Sequence, residues 1–207
     1  MKGLFITVEG GEGAGKSTQM ELIAAWLASQ GRNVIQTREP GGTALAETLR
    51  GILLDKRNET LSSLTELLLM FASRAQHLAE LIRPALKNGD TVLCDRFTDA
   101  TWAYQGGGRE LPRNEIAALE QLVHGDLQPD LTLLLDLPVE EGMGRAARRS
   151  ESDRFERESL PFFERVRTAY LERAVAEPGR FAVIDASGGV DDVWEQIRRV
   201  LEARVPE

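Results

Sequence analysis

The chain is 207 residues long, 42% apolar and 28% charged, the balance of a folded globular protein rather than of a disordered or bilayer-embedded one. Its net charge of −8 argues against a nucleic-acid coat, whose surface must neutralise phosphates, and the lone cysteine, Cys94, excludes an internal disulfide. We therefore expect one compact domain with one active site, a cytoplasmic address, no nucleic-acid partner and no membrane.

The first predicted strand, Leu4 to Glu9, runs into Gly10-Gly-Glu-Gly-Ala-Gly15-Lys16-Ser17-Thr18, and a helix is predicted over Lys16 to Gln30. This segment matches G-x-x-x-x-G-K-[ST] in its strand-to-helix setting. Glycines let backbone N–H groups form a nest around phosphates, and the helix dipole turns its positive end to the same place. Gly10, Gly11, Glu12, Gly13, Ala14, Gly15, Lys16, Ser17 and Thr18 are thus candidates to bind ATP. Lys16 would reach the β- and γ-phosphates, and the Ser17 hydroxyl is placed to ligate Mg²⁺. No Asn-Lys-x-Asp guanine reader follows a late strand, which disfavours GTP as the donor.

The second strand, Asn33 to Arg38, ends in the rigid turn Thr37-Arg38-Glu39-Pro40-Gly41-Gly42-Thr43. That turn sets Arg38 at the carboxyl edge of the sheet, where open α/β folds bind ligands. A helix over Thr43 to Leu54 comes next. A longer one spans Ser63 to Leu86, with an apolar face from Leu64 to Ile82 and a capping-box pattern at Ser63 and Glu66. Phe71 and Arg74 sit three apart on it, on neighbouring positions of one face. His77 and His124 lack metal-ligand spacing and read as surface or helix residues.

The third strand, Thr91 to Asp95, carries Cys94 as a buried thiol and closes on an aspartate in the Walker-B manner, so that Asp95 is a second Mg²⁺ candidate. Arg96 beside it would clamp a second phosphorylated ligand together with Arg38, unless each arginine simply pairs with a neighbouring acid. A helix over Phe97 to Gln105 runs into Gly106-Gly-Gly108, read as a mobile turn. A helix over Arg113 to His124, a strand over Leu131 to Asp136 with a structural Asp136, and a helix over Val139 to Arg148 follow. The stretch Arg145 to Arg157 then holds five arginines, either a lid or a solvated charge run. The chain closes with a helix over Leu160 to Glu177, a strand over Arg180 to Asp185 and a helix over Val190 to Arg204. Strands alternating with helices make an α/β fold, a five-stranded parallel sheet with helices on both faces, and the strands read as buried runs.

Taken together, the Gly10 to Thr18 loop, Thr37-Arg-Glu-Pro-Gly-Gly-Thr43, Asp95-Arg96-Phe97 and the arginine-rich stretch resemble the thymidylate kinase family over nearly the whole chain. The resemblance implies a P-loop NTPase fold with a short lid at about 145–157, and ATP-to-dTMP transfer giving dTDP and ADP, usually in a homodimer. It further implies that Phe71 stacks on thymine, Arg74 bonds its exocyclic oxygen, Gln105 meets the base edge, and Tyr104 packs under the sugar, with Thr101 in the same pocket. Lys16, Arg38 and Arg96 would be catalytic. Glu12 is acidic where some members carry an arginine, and in members with an acid there the lid supplies the catalytic arginine, which implies Arg149 first, Arg154 and Arg145 next. A deoxynucleoside kinase with Glu39 as base, another nucleoside monophosphate kinase, or an ATP-dependent assembly switch remain as alternatives.

Overall fold

The computed structural model describes residues 3–55, 57, 61–147, 154–155 and 158–205. Five parallel strands, β1 (Leu4–Gly10), β2 (Val34–Arg38), β3 (Thr91–Asp95), β4 (Leu131–Asp136) and β5 (Phe181–Asp185), lie in the order β2-β3-β1-β4-β5. Every residue of β1 is buried because it sits at the centre with helices on both faces. The edge strands β2 and β5 are only half covered, which corrects the expectation that all five are buried runs.

Alternation along β1 divides the core. Leu4, Ile6 and Val8 pack with Leu133 and Leu135 of β4 against α1 (Lys16–Ser29) and α9 (Val190–Arg204), through Ile23, Leu27, Ile197 and Leu201. Phe5 turns to the opposite face and joins Val92, Cys94, Phe97, Leu78 and Ile82. The Cys94 thiol is buried, and burial pushes its pKa well up, so it behaves as packing.

The helices α2 (Ala44–Leu54), α6 (Arg113–Val123), α7 (Val139–Ala146) and α8 (Leu160–Ala176) appear where the periodicity places them. The long helix expected over Ser63 to Leu86 is divided instead. Helix α3 (Ser63–His77) passes through a π-helical turn, Leu78–Ile82, into α4 (Arg83–Asn88). Pro84 explains the break, since it has no N–H to donate and its ring collides with a carbonyl of the preceding turn. The start of α3 also differs from the expected box. Ser62 is the cap, its Oγ accepting from Thr65 N at 3.1 Å, while Glu66 is buried among other partners.

A second π-helical segment, Trp102–Gly108, continues α5 (Thr98–Thr101) and lies along α8. A Cβ on Gly107 would come within 2.7 Å of Ala169 Cβ, and one on Gly108 within 2.5 Å of Phe162 Cζ. These glycines therefore allow close helix packing, and the segment read as a turn is helical. Both histidines are buried as well, not on the surface: His124 Nε2 meets Thr98 Oγ1 at 2.9 Å and Nδ1 meets Leu127 O at 2.8 Å. Among the described residues no helix is long and apolar enough to cross a membrane.

Candidate active site

At the end of β1 the chain turns through Gly10 (φ 141°), Gly13 (φ 71°) and Gly15 (φ 86°), the last forming the N-cap of α1. These are left-handed or otherwise glycine-favouring conformations, and they wrap the loop over the first turn of α1. A Cβ on Gly13 would lie 2.8 Å from the carbonyl carbon of Gly142, so helix α7 rests directly on the loop backbone. Lys16 is buried and folds back to donate to Gly10 O at 3.1 Å and Gly11 O at 3.0 Å. Burial, and secondarily Arg96, push its pKa below the usual lysine range. Ser17 faces the cavity described below, whereas Thr18 lies exposed on α1 outside it.

At the end of the neighbouring β3, Asp95 keeps a buried Oδ1 without a hydrogen-bond partner among the described residues. Arg96 then takes the left-handed conformation at φ 68°, sparsely populated for a residue with a side chain. The turn is held from β1, because Phe97 N donates to Glu9 Oε1 at 2.7 Å. Arg96 Nη2 donates to Glu12 Oε1 at 2.7 Å and its Nη1 to Tyr170 OH at 3.2 Å, with its guanidinium 4.8 Å from the Tyr104 ring centre. Tyr104 OH donates to the same Glu12 oxygen at 2.7 Å, and Tyr170 OH to Glu9 Oε2 at 2.8 Å. Glu9, absent from the sequence-based candidates, is the buried acid that ties this network to β1. Burial, then the Asp99 charge, push its pKa up to about 8. Its only sequence signal is a carboxylate ending an apolar strand, which strand periodicity cannot separate from a solvated strand end.

Between these two strand ends and α3 opens a cavity of about 250 Å³. The phosphate loop lines one end, and Met70, Arg74, Thr101, Tyr104 and Gln105 line the other. Arg74 is 2% exposed, with Nε donating to Glu39 Oε2 at 2.6 Å and Nη2 to Phe97 O at 3.2 Å and Thr101 Oγ1 at 3.1 Å. Its Nη1 is buried without a partner among the described residues. Glu39 gives its other oxygen to His77 Nδ1 at 3.0 Å, and His77 Nε2 meets Thr37 Oγ1 at 2.7 Å. Gly42 has to be a glycine here, since a Cβ would sit 2.5 Å from His77 Nε2 at φ 88°.

Two expected site residues are not among those that line the cavity. Phe71 is 2% exposed and packs with Leu67 and Ile116 beneath Arg74, outside the cavity lining. On a 3.6-residue helix the residue one turn before Arg74 is Met70, and Met70 faces the cavity in its place. Arg38 also misses the lining. It is 53% exposed and pairs with Glu47 of α2 at 2.9 Å, because the edge position of β2 turns it outward. Arg50 of α2, absent from the sequence-based candidates, reaches the cavity instead, with Nη1 on Pro40 O at 2.9 Å.

Of the arginines expected in a lid, Arg149 lies outside the described residues, as does most of the 145–157 stretch. Arg145 bonds Ala186 O and Ser187 O, both at 3.0 Å, and pairs with Glu141 at 2.6 Å. Arg154 pairs with Glu66 at 2.6 Å and donates to Leu53 O at 2.8 Å. Phe155 beside it closes one wall of the cavity. Asp136 pairs with Arg167 at 2.7 Å, an ion pair of the sheet edge.

A sequence model of the family described as thymidylate kinase matches residues 8–197. A thymidylate kinase of Pseudomonas syringae pathovar tomato is 60% identical over 201 residues, covering 97% of this chain and 96% of the relative. One of pathovar syringae is 63% identical over 193 residues, covering 93% and 92%. The crystal structure of a thymidylate kinase from Ehrlichia chaffeensis superposes with a TM-score of 0.78 at 35% identity, covering 97% of this chain and 99% of that one. A five-stranded parallel sheet, a phosphate loop at its centre and these matches over nearly the full length agree, and the chain belongs to the thymidylate kinase family.

Proposed function

We propose that this protein transfers the γ-phosphoryl group of ATP to dTMP, giving dTDP and ADP, a step in the supply of dTTP in the cytoplasm. The observation that carries this reading is one cavity with two ends. A phosphate nest with Lys16 stands at one end, and the buried, unpartnered Nη1 of Arg74 at the other. A buried arginine donor without a partner is costly unless a ligand acceptor meets it, and the exocyclic oxygen of a thymine fits.

In this reading the loop from Gly10 to Ser17 binds the ATP phosphates, Lys16 leaving its two carbonyl partners to reach them. Arg96 faces both phosphate groups from its left-handed turn, with Glu12 and Tyr170 fixing its fork. Ser17 and Asp95 would hold Mg²⁺, for which a site of one carboxylate, a hydroxyl and substrate phosphates is suited, and the orphaned Asp95 Oδ1 fits that use. The ion would supply charge neutralisation. Met70 and Gln105 bracket the base and Tyr104 the sugar. A phosphate acceptor needs no strong base, and Glu39 is already held by Arg74 and His77 through both oxygens. That arrangement favours a monophosphate acceptor over a deoxynucleoside. ADP release from ATP and Mg²⁺ across dTMP, dUMP, dCMP, dGMP and thymidine tests the assignment; thymidine outrunning dTMP would reverse it.

We further read residues 1–207 as one catalytic unit that works as a homodimer. Leu45 and Ile52 of α2 and Leu64 and Leu68 of α3 are 41–52% exposed on two helices that pack together, an apolar surface suited to a second copy. Light scattering at micromolar concentration should give the dimer mass, and a monomer there refutes it.

A further inference from the structure

We propose that Glu66 is a positioning residue that sets which base the acceptor end of the cavity takes, by holding the Gln105 amide in one orientation. This rests on the reading of that cavity as a nucleoside monophosphate site. Glu66 is 1% exposed on α3 and lies behind the cavity wall, outside the lining itself. Its Oε1 accepts from Gln105 Nε2 at 2.8 Å and Arg109 Nε at 3.2 Å. Its Oε2 accepts from Arg109 Nη2 at 3.2 Å and Arg154 Nη2 at 2.6 Å.

A carboxylate facing two guanidiniums offers acceptors only, so the end of the Gln105 amide turned toward it has to be the nitrogen. The amide oxygen is then the end left for a ligand in the cavity that Gln105 lines. With Arg74 lining the same pocket and keeping an unpartnered donor at Nη1, the protein offers a fixed donor and a fixed acceptor. A ring N–H next to a carbonyl, as in thymine or uracil, complements that pair. Cytosine presents the reverse, an amino donor beside a bare ring nitrogen. An unrestrained glutamine flips and serves either base, and Glu66 removes that freedom from outside the pocket. The same carboxylate also anchors Arg154, so Gln105 and Arg154 share one partner.

The test is the ratio of kcat/KM for dTMP to that for dCMP, with enzyme concentration raised until slow dCMP turnover is measurable. Glu66→Gln keeps the shape of the side chain and lets Gln105 pair either way. We expect the dTMP:dCMP ratio to fall about tenfold or more, since a misplaced partner no longer leaves a buried group unpaired. The dTMP:dUMP ratio should hold within about twofold, because dUMP keeps the same base edge. Glu66→Asp keeps the charge for both arginines and withdraws it from Gln105, and it gives the same readout should the neutral variant fail to fold. A folded variant with slower turnover and an unchanged dTMP:dCMP ratio overturns the proposal and leaves Glu66 an ion-pair partner only. Wild-type protein that ignores dTMP while phosphorylating another acceptor overturns the reading of the site, and this proposal with it.

Discussion

Arg74 has five N–H groups, of which Glu39, Phe97 and Thr101 take three and the pair on Nη1 stays unpartnered among the described residues. Alanine there would remove recognition and leave Glu39 buried against His77 alone, a loss of stability of about 3–5 kcal/mol that obscures any effect on binding. Arg74→Lys separates the two roles, because an ammonium still neutralises Glu39 but has no fork to reach the ligand. We expect KM for dTMP to rise by about 10- to 100-fold, from about 1–3 kcal/mol of lost hydrogen bonding, with KM for ATP unchanged. Initial-rate kinetics on both substrates decide it; equal rises for both would place Arg74 outside acceptor recognition. At the other end of the site, Glu9 carries a pH prediction. Its pKa rises from 4.5 to about 8 on folding, mainly through burial. A carboxyl group raised in the folded state contributes stability that is fully present below its unfolded pKa and lost as pH climbs through the folded one. Wild-type stability should therefore fall between about pH 4.5 and 8 relative to Glu9→Gln, which retains an acceptor for Phe97 N. Urea midpoints of the two proteins that run parallel across that window would contradict a neutral Glu9.

Close helix packing at two glycine contacts sets the geometry of the cleft. Gly107 and Gly108 let the π-helical segment carrying Tyr104 and Gln105 lie against Ala169 and Phe162 of α8. The expanded turn and the missing side chains act together, since a wider helix with side chains at these positions would be pushed off α8. Gly108→Ala should destabilise the protein by about 1–3 kcal/mol through overpacking against Phe162. It should also raise KM for dTMP, because Tyr104 and Gln105 move with the segment. A stability change without a change in KM would mean that α8 yields and the cavity wall stays. The Gly13–Gly142 approach does for α7 what this contact does for α8, seating that helix on the phosphate loop.

Across the molecule, a net charge of −8 coexists with a cavity lined by Lys16, Arg50, Arg74 and Arg96 against Glu12, Glu39 and Asp95. The acids hold most of these cations in place, so a small local excess of positive charge is presented at fixed positions. Phosphoryl transfer needs further positive charge on the moving group, and an arginine that arrives on closure stabilises the transition state more than the ground state. Arg145 and Arg154 are engaged with the β5–α9 connection and with Glu66, and Arg149, the first candidate of the sequence analysis, lies outside the described residues. Arg149→Ala should lower kcat by about 10²- to 10⁵-fold, the range of arginine fingers, with little change in ATP affinity. Single-turnover transfer at saturating ATP and dTMP reads this directly, and normal rates for alanine variants at 145, 149 and 154 alike would refute a lid arginine.

The phosphate loop, the two strand-end motifs and the alternation of strand and helix were legible in the sequence, because each depends on local spacing: glycines before Lys16, an acid closing an apolar strand, apolar periods of two or 3.6. Direction around a helix and position within a sheet were not legible. Phe71 and Met70 are adjacent in sequence and both apolar, and only the packing of α3 on Ile116 turns the first into the core and the second to the cavity. Only the strand order shows that β2 is an edge strand, from which Arg38 reaches Glu47 of α2. In the sequence Glu9 looks like a solvated strand end, Glu39 like a possible base and Glu66 like a helix-capping acid. Burial is a property of the assembled layers, and it turns them into the group behind Arg96, the partner of Arg74 and the anchor of Gln105.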